Sequence, residues 1–225
     1  LLQIGHQRRS NPRYLHCYEK LIKEAQVPGR ITTMYGQWNR SKASCEDLGY
    51  PEKASIPAGT LNKYGFESMQ QFCNWRWYKG LGGGPIVDLG SHQIDIFRWF
   101  LGDKSPRSVI ASGGTDYWKG RQWYDNVIAV YEFATPSGIA RATYQTITTN
   151  SNGGYYETFM GDEGTILISE SAGRSGIFKE GWVPAEKWDQ WVKKGYLLAP
   201  VEKEEKKQTG AVLDLRETKS PPSYA

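Results

Sequence analysis

The sequence predicts an α+β fold in which helices come first and a run of strands follows. Three observations support this class. Apolar residues recur at helical spacing in the first half of the chain, and turn signals separate short strand-like segments in the second half. Aromatic residues make up 13% of the sequence, and aromatic residues favour strands. The 225 residues suffice for one large domain or two small ones.

The first elements are a strand end, a helix and a strand. The apolar run Leu1–Gly5 is typical of the end of a strand. Asn11 and Pro12 then begin a helix, because a small polar residue caps a helix and proline is tolerated in its first turn. Helical spacing continues to about Gln26, and moderate alternation predicts a strand over 31–38.

The remaining elements follow an irregular segment, residues 40–79, in which a short helix is predicted over 67–74. A long helix is predicted over 82–101, behind a glycine hinge. Further strands are predicted over 109–113, 126–134, 139–149, 156–160 and 165–169. The short connections between them favour an antiparallel sheet. A third helix is predicted over 184–194, and the charged run 203–207 is expected to be a solvated loop.

Composition excludes several classes of protein. The net charge is +4 and the basic residues are scattered, so we expect no nucleic-acid partner. No apolar stretch approaches the roughly 18 residues of a membrane helix, so no membrane partner is expected. The three cysteines form no CxxC pair, which argues against a zinc knuckle or a disulfide framework and favours a reducing compartment. No signal peptide is visible, and both ends of the chain are expected to be truncated.

The long predicted helix carries the residues best suited to chemistry. Asp88, His92, Asp95 and Trp99 share one narrow stripe of it, and apolar residues cover most of the remainder. Such a helix is buried, so the stripe must face a cleft, a cofactor or a paired partner. Carboxylates beside an imidazole tune an acid–base group, but a structural His–Asp pair fits this spacing equally well. Asp88 and His92 could also be two zinc ligands, but no other histidine is near in sequence, so we expect no metal.

Two further clusters are candidates for binding. In the segment from Gly5 to Pro12, Arg8 or Arg9 could hold an anionic or hydroxyl-rich ligand, or could bond a carboxylate inside the fold. In the segment from Asn74 to Lys79, aromatic residues and an arginine would suit stacking on a sugar ring, but they suit core packing equally well.

The glycine run and the polar stripe together resemble a known family signature. Residues 82–95 contain Gly82–Gly84, Asp88, Gly90, His92 and Asp95, as in the GGG-x-x-x-D-x-G-x-H-x-x-D pattern of the Gfo/Idh/MocA oxidoreductases. Residues 3–12 and 37–40 also resemble segments of that family. The resemblance implies a large, mainly antiparallel open sheet with helices packed on one face, preceded by a remnant strand and helix of a Rossmann domain. It places that remnant at 1–29 and the C-terminal substrate and oligomerisation domain at 30–225.

The resemblance also implies a function. Members mostly oxidise or reduce sugars and polyols with NAD or NADP, so the resemblance implies an enzyme that acts on a sugar or polyol hydroxyl. When the family's catalytic residues are matched to this sequence, His92 is expected to be the acid or base, and Asp88 is expected to orient the substrate or His92. The expected substrate-binding residues are Arg9, Trp75, Arg76 and Asp95, and the expected cofactor-binding residues are Gln7 and Arg8. The expected partners are a small carbohydrate and further copies of the chain, associated through the sheet.

The sequence departs from the family pattern in two places. It has no GxGxxG after a strand and no E-K-P motif, and both are expected upstream of Leu1. The main cofactor site is therefore expected to be missing and the isolated chain to be inactive, and NAD cannot be told from NADP. An NAD-dependent glycoside hydrolase of the same family and a non-catalytic sugar-binding or assembly module remain alternatives. The expected location is the cytoplasm, with the periplasm as the alternative.

Overall fold

The fold is built on one open seven-stranded sheet with the strand order β2-β3-β4-β1-β5-β6-β7. The computed structural model describes residue 2 and residues 5–199. The strands are β1 (Ile31–Asn39), β2 (Ser108–Gly114), β3 (Asn126–Thr135), β4 (Gly138–Ile147), β5 (Tyr155–Gly161), β6 (Gly164–Ile168) and β7 (Gly176–Lys179). Only β1 and β4 run parallel, and every other neighbouring pair is antiparallel. The predicted α+β class and mainly antiparallel open sheet are confirmed.

Alternation along the strands shows which face of the sheet carries the core. In β4, Ala140, Ala142 and Tyr144 are buried, whereas the residues between them are more exposed. Gly36 of β1 lies on the same face, and a side chain there would come within 2.7 Å of the Phe97 ring. The long helix α5 can therefore pack directly on the middle of the sheet because β1 carries a glycine at that point.

The helices are short apart from one. They are α1 (Pro12–His16), which continues as a π-helical segment (Cys17–Glu24), α2 (Ala58–Lys63), α3 (Met69–Cys73), α4 (Gly84–Asp88), α5 (Gly90–Phe100) and α6 (Ala185–Lys193). Asn11 caps α1 as expected, since its side chain accepts a hydrogen bond from the Arg13 backbone N–H. In the described part of the chain, no helix is both long enough and apolar enough to cross a membrane.

The N-terminal helical segment packs onto the same core as the sheet. Tyr14, Cys17 and Leu21 are buried in one cluster with the side chains of α5. The Tyr14 hydroxyl donates a hydrogen bond of 2.7 Å to Glu157 of β5. The division at residue 29 into a nucleotide-binding remnant and a second domain stays a prediction.

The structure differs from the predicted elements at several points. The long helix predicted over 82–101 is two helices, which break at Leu89. Gly84 has a φ of +69°, so the first helix begins there and not at Gly82. The Tyr144 ring occupies the space where a Gly90 side chain would lie, so this glycine lets the start of α5 approach β4. Helix α2 and strand β7 were not predicted, because each is short and lacks a clear apolar period. Positions 1, 3 and 4 of the predicted strand end and all of 203–207 lie outside the described residues.

Candidate active site

A cavity of about 360 Å³ lies where α4 meets α5. The loop before α1 closes one side of it, and a 3₁₀ turn (Trp75–Trp77) closes another. The residues that line it include His6, Trp75, Arg76, Asp88, Ser91 and His92. The fold thus brings together four of the predicted site residues, namely Asp88, His92, Trp75 and Arg76.

His92 lies in the first turn of α5, against two other rings. Its imidazole is 5.2 Å from the Trp38 ring and 5.4 Å from the His6 ring, measured between centroids. Burial lowers the pKa of His92 below its usual 6.5, and the nearby charge of Arg8 acts in the same direction. Nδ1 of His92 is buried and has no hydrogen-bond partner among the described residues. The imidazole is therefore uncharged at neutral pH and can accept a proton.

Asp88 is the last residue of α4, and Arg76 holds its carboxylate. Arg76 Nε donates a hydrogen bond of 3.1 Å to Asp88 Oδ2. The Arg76 guanidinium also lies over the Trp75 ring, 4.8 Å from its centroid. The carboxylate is thus fixed beside the cavity by a group that the sequence had assigned to substrate binding.

Arg9 and Asp95 bond each other and do not line the cavity. Arg9 Nε donates to Asp95 Oδ2 at 2.8 Å, and Arg9 Nη2 donates to Asp103 Oδ1 at 2.8 Å. Asp95 lies about two helical turns from Asp88 and one turn beyond His92, so it is displaced along the helix axis from the cavity that those two residues line. The substrate-binding role of Arg9 and Asp95 stays a prediction, and in the structure the pair supports His6, whose Nδ1 is 3.9 Å from Asp95 Oδ2.

Arg8 and Gln7, the two predicted cofactor contacts, also bond within the chain. Arg8 is 1% exposed and donates a hydrogen bond to Glu157, which is fully buried. The Gln7 amide donates to Glu170 Oε1 at 3.0 Å. The structure therefore favours the interior carboxylate partner over a cofactor contact for Arg8, because an approach to a cofactor would break its bond to the fully buried Glu157.

Arg8 lies close to an aromatic ring that packs on His92. Its guanidinium lies 5.3 Å from the Trp38 ring, and Trp38 packs on His92. Burial raises the pKa of Glu157 to about 7, against the opposing effects of Arg8 and of the Tyr14 hydroxyl. A buried ion pair thus lies directly behind the imidazole.

Two lining residues, His6 and Ser91, were missed by sequence reasoning. His6 is 86 positions before His92, so helical spacing gives no signal for their contact. Gly84, the first residue of α4, allows close packing at one wall of the cavity. Trp123 lies where a Gly84 side chain would be, 2.7 Å from the position of its Cβ, so this glycine allows core packing as well as its positive φ.

Metal ligands do not cluster in the part of the chain that the structure describes. There, no group of three or more histidine, cysteine, aspartate or glutamate side chains could hold a metal ion. The functional groups that line the cavity include imidazole, carboxylate, guanidinium and indole groups.

Comparison with solved structures shows the same fold in several sugar-converting enzymes. Levoglucosan dehydrogenase in complex with NADH and levoglucosan is 18% identical with a TM-score of 0.50, and the match covers 85% of this chain and 54% of that one. The WlbA dehydrogenase from Bordetella pertussis, in complex with NADH and UDP-GlcNAcA, is 17% identical with a TM-score of 0.51, covering 83% and 47%. Aldose-aldose oxidoreductase from Caulobacter crescentus, complexed with glycerol, is 18% identical with a TM-score of 0.51, covering 86% and 54%.

The chain spans about half the length of these structures. At 17–18% sequence identity, structural similarity establishes the fold alone. No curated protein matches the chain in sequence. The family model described as the GFO/IDH/MocA C-terminal domain matches residues 59–167, which include the glycine run, Asp88, His92 and Asp95. Residues 59–167 of this chain are therefore similar to the C-terminal domain of the Gfo/Idh/MocA family.

Proposed function

We propose that the protein to which this chain belongs oxidises a hydroxyl of a sugar or polyol, or reduces the corresponding carbonyl, with NAD or NADP, and that the cavity at the α4–α5 junction binds that substrate. The observation that carries the proposal is the uncharged, half-buried His92 beside the Asp88–Arg76 pair in one cavity. The family match and the sugar-converting structures of the same fold support it.

The mechanism needs a proton acceptor next to the reacting hydroxyl. In the oxidising direction His92 accepts the hydroxyl proton, and in the reducing direction it returns that proton to the oxygen. The carbon that bears this oxygen would give its hydride to, or take it from, a bound nicotinamide, which would supply only that redox chemistry. Asp88, fixed by Arg76, accepts a hydrogen bond from a hydroxyl of the substrate and so orients the ring.

The size of the cavity bears on where the cofactor binds. At about 360 Å³ it is at the small end of ligand pockets, which hold roughly 300–1,000 Å³. A small sugar fits this volume, but a sugar and a dinucleotide together do not. We therefore propose that a domain outside this chain holds the nucleotide and that the isolated chain is inactive, with the Gln7 amide as the described group that approaches the cofactor.

Association through the sheet is part of the same proposal. Ile110 of β2 and Ile128 of β3 are exposed on the face of the sheet opposite the core. We propose that these two exposed apolar side chains take part in an interface between copies. Light scattering on the chain would test this, and a monomer at high concentration would contradict it.

Replacing His92 in the full-length protein tests the catalytic role. We expect His92→Ala to lower kcat by roughly 10²- to 10⁴-fold, because that is the usual contribution of a positioned acid or base. The assay is NADH or NADPH absorbance with a panel of sugars and polyols. His16→Ala is the matched control, because His16 is exposed on α1 and bonds only the Tyr196 carbonyl among the described residues. Unchanged kcat in the His92 variant would refute the acid–base role and favour a non-catalytic binding module.

A further inference from the structure

A second cavity, of about 250 Å³, lies beside the first. One wall is the end of the 3₁₀ turn that also borders the first cavity, and the other is the connection between β2 and β3. Its lining includes Asp47, Trp77, Tyr78, Tyr117, Trp118 and Arg121. Nothing in the proposed chemistry of the first cavity uses these residues.

The Arg121 guanidinium is the central feature of this cavity. It is sandwiched between the Trp77 and Trp118 rings, 3.7 Å and 3.9 Å from their centroids, and its side chain is only 6% exposed. Its Nη2 donates to the Cys45 carbonyl and to Asp47 Oδ1. Its Nη1 is buried and has no acceptor among the described residues. An unpaired buried donor of this kind is costly, and the oxygen of a ligand would satisfy it.

The remaining groups define the chemistry of that ligand. Tyr117 is 50% exposed, so its ring offers an apolar face to the cavity. Asp47 already balances the charge of Arg121, which favours an uncharged ligand over an anion. Aromatic faces for C–H groups, a carboxylate that accepts from hydroxyls and a guanidinium that donates to them are the groups that bind a sugar ring.

The two cavities are adjacent in the chain as well as in the fold. Arg76 lines the first and Trp77, the next residue, lines the second. Trp123, just after the β2–β3 residues of the second cavity, packs on Gly84 of the first. We propose that the second cavity binds a further sugar unit, so that the substrate is a glycoside or oligosaccharide. This proposal rests on the proposed function of the first cavity.

An NMR titration of this chain with neutral saccharides separates the two cavities. The probes are a panel of disaccharides of differing linkage, with methyl glucoside as the single-sugar comparison. Indole N–H signals of Trp77 and Trp118, assigned with Phe variants, report the second cavity, and the His92 ring signals report the first. We expect a disaccharide to shift both sets and methyl glucoside to shift only those of His92.

Tyr117→Ala should raise the disaccharide Kd about 3- to 10-fold, the effect of losing one aromatic contact. Tyr124→Ala is the matched control, because Tyr124 is 56% exposed on the same connection and does not line the cavity. Equal Kd values for the two variants would overturn the proposal, as would disaccharides that shift His92 signals alone. Indole shifts without any His92 shift would support sugar binding in the second cavity and contradict the proposed function of the first. If no saccharide shifts either set, both proposals are refuted.

Discussion

Replacing Arg8 with Met removes the cation from the buried pair behind His92. Arg8 and Glu157 are 1% and 0% exposed, so neither charge has access to water. In the native chain, burial raises the pKa of Glu157 to about 7, even though Arg8 and the Tyr14 hydroxyl both stabilise its charged form. Without Arg8 the pKa of Glu157 must rise further, because the opposing attraction is lost while the burial remains.

The expected loss of stability depends on pH. Because the folded-state pKa of Glu157 lies above its unfolded value of 4.5, the contribution of this group to stability is fully present below pH 4.5 and is lost as pH rises through about 7. In the Arg8→Met variant the free energy of unfolding continues to fall at higher pH. It falls by about 1.4 kcal/mol for each unit by which the folded-state pKa of Glu157 rises further. We therefore expect a cost of about 3–5 kcal/mol at pH 8, as for other broken buried pairs. At pH 5 Glu157 is neutral with or without Arg8, so only the lost hydrogen bond and packing remain, about 1–3 kcal/mol.

Urea unfolding followed by tryptophan fluorescence at pH 5 and pH 8 measures both values. Arg9→Met is the matched control, because Arg9 is 38% exposed and its pairs with Asp95 and Asp103 should contribute less than about 1 kcal/mol at either pH. The double variant Arg8→Met with Glu157→Gln should recover most of the loss at pH 8, since it removes the buried charge and keeps an acceptor for Tyr14. An equal cost at both pH values, or a cost no larger than that of Arg9→Met, would refute the reasoning.

Two further predictions concern the walls of the first cavity. Burial holds the pKa of His92 below 6.5, so the unfolded chain binds more protons, and stability should rise with pH from the folded-state pKa of His92 up to about 6.5. In a plot of the urea midpoint of unfolding against pH, His92→Asn should remove this rise, whereas the control His16→Asn should retain it. Parallel plots for the native chain and both variants would show that His92 is not the group responsible. Gly84→Ala should cost about 1–3 kcal/mol from its φ of +69° and more from contact with Trp123. Gly102→Ala is the control for backbone strain alone, because Gly102 has a φ of +78° and open space around the added methyl group. If thermal unfolding shows the same loss of stability for both variants, the contact with Trp123 makes no contribution.

Local signals in the sequence were sufficient for the class of fold. The cap at Asn11 and the strands β3 and β4 depend on residues close in the chain, and the structure has the ends of both strands within two residues of their predicted positions. The same holds for the partners Asp88 and His92, which are one turn apart and share one cavity even though the helix breaks between them. Short-range geometry is encoded by neighbouring residues, so a single sequence reveals it.

Only the tertiary structure decided what those residues contact. Asp95 lies on the same stripe of α5 as His92, but it is one turn farther from the cavity and pairs with Arg9. Arg8 could have faced a ligand, but it meets a carboxylate 149 positions away on β5. Such partners are set by how α5 packs on the sheet and by which side chains it buries, and no periodicity along the chain records that choice. The sequence by itself determined most of the elements and the candidate acid–base pair, whereas packing determined which charged groups pair in the interior and which line the cavity.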